Sequence, residues 1–312
     1  MNSQRTELFE GFEKEQSRLL DLIKSMLPPS GEPEVVWHYT TGQGLLNILE
    51  SKALWATQVS CLNDTSEYGF GSDILFSAFK RRSEQLNKDV YFSCLFDKIQ
   101  KNMARKADHP YSLKAEWFVT CFSENGDDLS QWRGYGGGEN GYALGFSVAE
   151  LNRRQLLHKV FYPENTAFTD CVCEQINALH SLGISKAKPA DPGPWTEAFL
   201  RQLGWVFLEL GAVIKDPAFK GEREYRQVYR YTLEEIGNLR FKQKGSILSR
   251  HLCVQYPEFK QRSTRDLPLT HIRIGPSRNQ KISENSLDLL LRQKGYAPNV
   301  KILCSSVPYR ET

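Results

Sequence analysis

The sequence contains no run of eighteen uncharged apolar residues. Its most apolar stretch, Trp205 to Ile214, is short and interrupted by Glu209, so no segment reads as a membrane span. The opening residues are acidic rather than apolar, unlike a secretory leader, and a cytoplasmic location is the expectation. Four signatures are missing: G-x-x-x-x-G-K-[ST], G-x-S-x-G, H-E-x-x-H and C-x-x-C. Their absence removes the P-loop, nucleophile-elbow, zincin and dithiol readings. The seven cysteines are odd in number and scattered, which argues against a disulfide framework. Cys171 and Cys173 lie close, but C-x-C without a second pair or a nearby His makes a poor zinc site, and no metal is expected.

What is present is enough for a core: 40% of the 312 residues are hydrophobic and 12% are aromatic. The formal charge is only +3, but it is unevenly spread. Between Arg240 and Lys281 ten Lys and Arg (Arg240, Lys242, Lys244, Arg250, Lys260, Arg262, Arg265, Arg273, Arg278 and Lys281) face only Glu258 and Asp266. That segment is either a solvated basic surface or a face that meets the phosphates of a nucleic acid.

Periodicity predicts an amphipathic helix over residues 1–30, with Leu8, Phe12, Leu19, Leu20, Ile23 and Leu27 on one side, ended by Pro28-Pro29-Ser30-Gly31. A single domain is expected over 31–312. Strands are predicted at 34–40, 53–59, 117–123, 141–148, 225–231, 270–275 and 300–306, with helices at 44–52 and 286–294. Helical insertions are expected near 72–116 and 164–210. Strands and helices without regular alternation point to an α+β fold. The glycine-rich stretch Gly134 to Gly138 reads as a turn, since it does not lead from a strand into a helix as a dinucleotide fingerprint requires.

Four groups carry possible chemistry: Trp37-His38-Tyr39-Thr40 ending the first strand; Asn63-Asp64 after the second; Cys121-Phe122-Ser123 with Trp132 and Tyr135; and Glu222-Arg223-Glu224-Tyr225-Arg226. Each has an ordinary explanation as core, turn or solvated face. On one continuous strand Glu222, Glu224 and Arg226 would share a face.

In combination, and in this order, they resemble a bacterial family of unknown function. Its marks are an early H-Y-T strand, an N-D turn, a C-F-S strand, W-x-x-Y before a G-x-x-L-G-F strand (here Gly141 to Phe146) and E-x-E-x-R. That pattern in turn resembles the ADP-ribosyltransferase superfamily, in its toxin and phage-defence branch. The resemblance implies split, mostly antiparallel β-sheets around a cleft, NAD as the cofactor consumed, a nucleic-acid acceptor and a neutralising antitoxin-like partner. It implies His38 on the ribose, Ser123 or Thr120 in the central strand position, and Glu224 as the catalytic carboxylate with Glu222 as companion. The opening His, in place of Arg, departs from the arginine-directed subgroup.

Residue chemistry agrees with these roles. Cleavage at a sugar carbon builds positive charge, which a fixed carboxylate stabilises. A second carboxylate can accept the proton of the incoming nucleophile. Tyr39, Trp132 and Tyr135 offer stacking faces, His38 and Thr40 can meet hydroxyls, and Arg226 can meet a phosphate or pair with a neighbouring acid. Two other readings use the same residues. One is a nucleotide- or nucleic-acid-binding module without chemistry. The other is a metal-independent nuclease using His38, Glu222, Glu224 and the basic segment.

Overall fold

A computed structural model describes residues 33–62, 66–85, 115–137, 141–187, 211–244, 246–256 and 267–308. The helix expected over 1–30, the Asn63-Asp64 turn and Lys260, Arg262 and Arg265 lie outside the described residues, as do 86–114 and 188–210 of the expected insertions. The chain divides into two compact units. One comprises Asp64–Lys114 and Phe161–Pro217 together with Met1–Ser30; the other comprises Gly31–Asn63, Ala115–Val160 and Ala218–Thr312.

The second unit holds the strands. In chain order it contains β1 (Val35–Thr41), α1 (Gly42–Ser51), β2 (Ala53–Gln58) and β3 (Ala115–Ser123). In the other unit, α2 (Ser66–Gln85) lies between β2 and β3 in sequence. Beyond β3 come α3 (Leu129–Tyr135), β4 (Gly141–Ser147), α4 (Val148–Arg154) and β5 (Leu157–Lys159). The first unit's α5 (Ala167–Ala187) precedes β6 (Glu224–Thr232), β7 (Leu239–Lys244), β8 (Ile247–Gln255), β9 (Leu269–Ile274), α6 (Gln280–Lys294) and β10 (Lys301–Cys304).

The ten strands form one mixed sheet in the order β10-β9-β4-β1-β3-β2-β8-β7, with β6 on β3 and β5 on β6. All pairs are antiparallel except β9 with β10, which α6 connects as a crossover. Such a sheet with flanking helices is an α+β architecture. β3 is the branch point. β6 pairs along it from Ala115 to Ser123, taking one whole edge. The other edge is divided: β2 pairs at Val119 and Phe118, and β1 only at Ser123. The sheet therefore forks where β1 and β2 part.

Alternation in the strands decides which face is buried. Val36, Leu54, Phe118, Phe122, Leu144, Phe146, Tyr225, Tyr229, Leu252 and Ile272 pack into one core with Leu45, Ile48 and Leu49 of α1, Leu151 of α4, and Leu287 and Leu291 of α6. α1 starts where Thr41 accepts a hydrogen bond from the Gly44 amide, and α6 stops at Gly295 in the left-handed conformation (φ 80°). α3, α4, β5, β7 and β8 are additions to the predicted elements. β7 has Arg240, Lys242 and Lys244 in six residues, which hides its alternation in sequence.

In the first unit, Leu75, Ala78 and Phe79 of α2 and Val172, Cys173 and Ile176 of α5 are buried. Arg81 pairs with Asp170 at 2.9 Å, joining the two helices. Cys171 and Cys173 are free thiols on α5.

Candidate functional site

The fork leaves part of the β3 edge without a strand partner, and His38 fills it. Its Nδ1 lies 2.9 Å from the Cys121 carbonyl oxygen. A carbonyl only accepts, so Nδ1 carries the proton and Nε2 is left as the lone-pair nitrogen of the neutral ring. Burial lowers the His38 pKa below its ordinary value, and the charge of Lys242 adds to this, against the opposing effect of the Cys121 carbonyl. Burial and the Lys242 charge both favour the neutral ring over the imidazolium.

A small hollow opens here, lined by Trp37, His38, Tyr39, Cys121, Phe122, Ser123, Gln131, Tyr135, Glu222 and Glu224. All ten belong to the strand-bearing unit. Six were expected site residues: His38, Tyr39, Ser123, Tyr135, Glu222 and Glu224. Ser123 lies directly opposite Glu224 on neighbouring strands. Its hydroxyl donates to the Glu222 carbonyl at 3.0 Å and accepts from the Asn125 amide at 3.2 Å, which ties β3 to the turn before β6. Thr120, the other residue considered for the central place, is buried away from the hollow, opposite Gln227.

The two carboxylates reach the hollow by different routes. Glu222 ends a 3-10 turn, Pro217–Glu222, and Glu224 begins β6. Arg223 between them is left-handed (φ 45°), an uncommon state for a side chain with a Cβ. The expectation that Glu222, Glu224 and Arg226 share one strand face is therefore corrected for Glu222. Glu222 is half-buried and Glu224 is 6% exposed. Arg226 grips Glu224, with Nε on Oε1 at 2.7 Å and Nη2 on Oε2 at 2.9 Å. Arg226 is thus a clamp on the carboxylate, and it does not line the hollow.

Two further expected residues do not line the hollow. Trp132 is 2% exposed and packs edge-on against Tyr39, with ring centres 4.7 Å apart, so it offers no open stacking face. Thr40 faces α1, where a Cβ on Gly44 would strike its hydroxyl. Tyr39 lines the hollow but its hydroxyl is engaged: it donates to the Asn125 carbonyl at 2.8 Å and accepts from the Asp128 amide at 3.0 Å. Burial raises its pKa well above the ordinary phenol. Tyr135, 38% exposed at the end of α3, is the most exposed of the aromatic residues lining the hollow.

Asp127 went unnoticed in sequence. It accepts hydrogen bonds from Trp132 Nε1, Ser305 Oγ and the Ser306 amide, and pairs with Arg273 at 3.1 Å. Asp128 caps α3 through the Ser130 and Gln131 amides. The run Asn125-Gly126-Asp127-Asp128 therefore fixes α3, and with it Gln131 and Tyr135, at the hollow. Its only advance signal was two acids just before a helix.

The basic segment is divided. Arg240 and Lys242 lie on β7 at one end of the strand order, and Arg273 lies on β9 near the other. Arg273 is occupied by Asp127, and Lys281 by Glu284. The described part of the segment is therefore split between the two ends of the strand order.

Residues 131–227 match a family described as a protein of unknown function (DUF2971). The matched span runs from Gln131 through Tyr135, Glu222 and Glu224 to Gln227, and covers just under a third of the chain. No curated protein and no solved structure matches the chain. Among the described residues no group of three His, Cys, Asp or Glu side chains gathers as metal ligands.

Proposed function

We propose that the protein is an NAD-dependent ADP-ribosyltransferase that modifies a nucleic acid, in the manner of a toxin or phage-defence effector held in check by a neutralising partner. The observation that carries this reading is the meeting of His38 of β1, Ser123 of β3, Glu224 of β6 and Glu222 of the turn before β6 around one hollow at a fork in the sheet.

NAD would supply a ribosyl carbon whose bond to nicotinamide breaks, the electron pair leaving with nicotinamide while the acceptor's nucleophile bonds to that carbon. Positive charge grows on the sugar as this happens. Glu224, held rigid by Arg226, is a preorganised negative group of the kind that favours such charge without reorganising. Glu222, half-buried at the rim, is placed to accept the nucleophile's proton. The neutral His38 offers a lone pair to a ribose hydroxyl, and Tyr135 a face to the nicotinamide ring.

The test is release of nicotinamide from NAD by the purified full chain, with and without RNA or DNA. Glu222→Gln should slow release about a hundred- to thousandfold while leaving the thermal melt in place. A folded wild-type protein that releases no nicotinamide with any acceptor ends this reading. The Glu224–Arg226 pair favours one second reading, a nucleotide-binding module without turnover, because both oxygens of Glu224 are already engaged. Calorimetric binding of NAD with no release selects it.

A further inference from the structure

From Leu239 to Gln255 the chain carries Arg240, Lys242, Lys244 and Arg250 and has neither Asp nor Glu. This is the β7–β8 hairpin. Among the described residues β7 ends the strand order, so its outer edge has no strand beside it. Residues that a sheet normally buries stand in solvent here: Phe241 is 54% exposed and Leu248 61%. Opposite pairs in the hairpin are Phe241 with Arg250 and Lys242 with Ser249, on alternate faces.

The Lys242 face is built around an indole. Lys242 Nζ lies 4.4 Å from the centre of the Trp55 ring, and the His251 ring lies 6.1 Å from it. His251 is held between Thr57 Oγ1 at 3.3 Å and Ser249 Oγ at 3.1 Å. Arg240 is steadied by the Gly237 and Leu239 carbonyls at 3.0 and 2.8 Å. Among the described residues no carboxylate pairs with Arg240 or Lys242. Burial lowers the Lys242 pKa, as expected of an ammonium that has lost water.

Cations steadied on one face, an open aromatic ring and an open Leu on the other, and a free edge between them suit one class of partner. We propose that the β7–β8 hairpin, with Trp55, binds a single strand of nucleic acid, its phosphates at Arg240 and Lys242 and a base stacked on Phe241. An acidic protein segment would match the charge but has no use for the exposed ring. The identity of this strand as the acceptor rests on the transferase reading; the binding does not.

The experiment is fluorescence anisotropy of the full-length protein with labelled twelve-nucleotide single-stranded RNA, single-stranded DNA and duplex DNA, from low to high salt. Single strands should bind more tightly than the duplex, the RNA and DNA arms showing which sugar is preferred. Affinity should fall with salt with a log–log slope of about −0.7 per phosphate met. Phe241→Ala should weaken binding about tenfold at every salt concentration with the slope unchanged. Arg240→Gln/Lys242→Gln should flatten the slope by about 1.4, a change that a merely structural role would not produce.

Failure of both single strands to bind, variants that bind like wild type, or equal binding of polyglutamate unaffected by Phe241→Ala would each overturn the proposal. Nicotinamide release by the wild-type protein is followed in parallel. Hairpin-dependent binding without release sinks the transferase and keeps the hairpin, and release without such binding does the reverse.

Discussion

Arg226 holds Glu224 by two parallel hydrogen bonds, and the two side chains are only 3% and 7% exposed. They stand two residues apart on the same face of β6, where the pleat brings i and i+2 together. A paired, desolvated charge of this kind is costly to break from either side, because the survivor stays buried alone. Arg226→Gln should therefore cost about 3–5 kcal/mol in urea unfolding. Glu224→Gln/Arg226→Gln should cost well under the sum of the two single changes. Single losses that add within about 0.5 kcal/mol would show that the two residues do not act as a pair.

Asp127 makes stability depend on acid. Burial alone would raise its pKa, but hydrogen bonds from Ser305, Ser306 and Trp132 and the charge of Arg273 outweigh it and hold the carboxyl below its ordinary value. A group whose folded pKa is depressed stabilises fully above its unfolded pKa and loses that contribution as the pH falls through the folded one. Asp127→Asn should cost about 2 kcal/mol near pH 7. The gap to wild type should then narrow as the pH drops below about 4. Unfolding curves taken from pH 7 to pH 2 would reveal a constant gap if the charge of Asp127 were irrelevant.

Two glycines of one stretch should respond with opposite sign. A Cβ on Gly141 would lie 2.6 Å from the Gly136 Cα and 2.9 Å from its carbonyl oxygen, and backbone cannot swing aside. Gly141→Ala should destabilise by about 2–4 kcal/mol and loosen the α3–β4 connection. Gly134 sits inside α3 with nothing within 4 Å of an added Cβ, so Gly134→Ala should stabilise by about 0.5–1 kcal/mol. Thermal melts that move in the same direction for both would contradict this packing.

The sequence by itself determined the local elements that have strong periodicity or clear stops. β1, α1, β2, β3, β4, β6, β9 and β10 fall within a few residues of the predicted spans, and α6 starts six residues before its predicted span and ends with it. It also singled out His38, Tyr39, Ser123, Tyr135, Glu222 and Glu224, because their residue types carry chemistry in a recurring order. Only the tertiary structure decided how those residues are used. Whether Arg226 meets a ligand or a carboxylate depends on the pleat of β6 and on burial, and Glu224 is close enough to claim it. Trp132 looks like a platform in sequence, yet α3 turns it inward onto Tyr39, where aromatic area is worth most out of water. The basic segment is continuous in the chain but its strands join the sheet at opposite ends, since strand order follows long-range pairing. Register and pairing are set by contacts between distant segments, which no local pattern encodes.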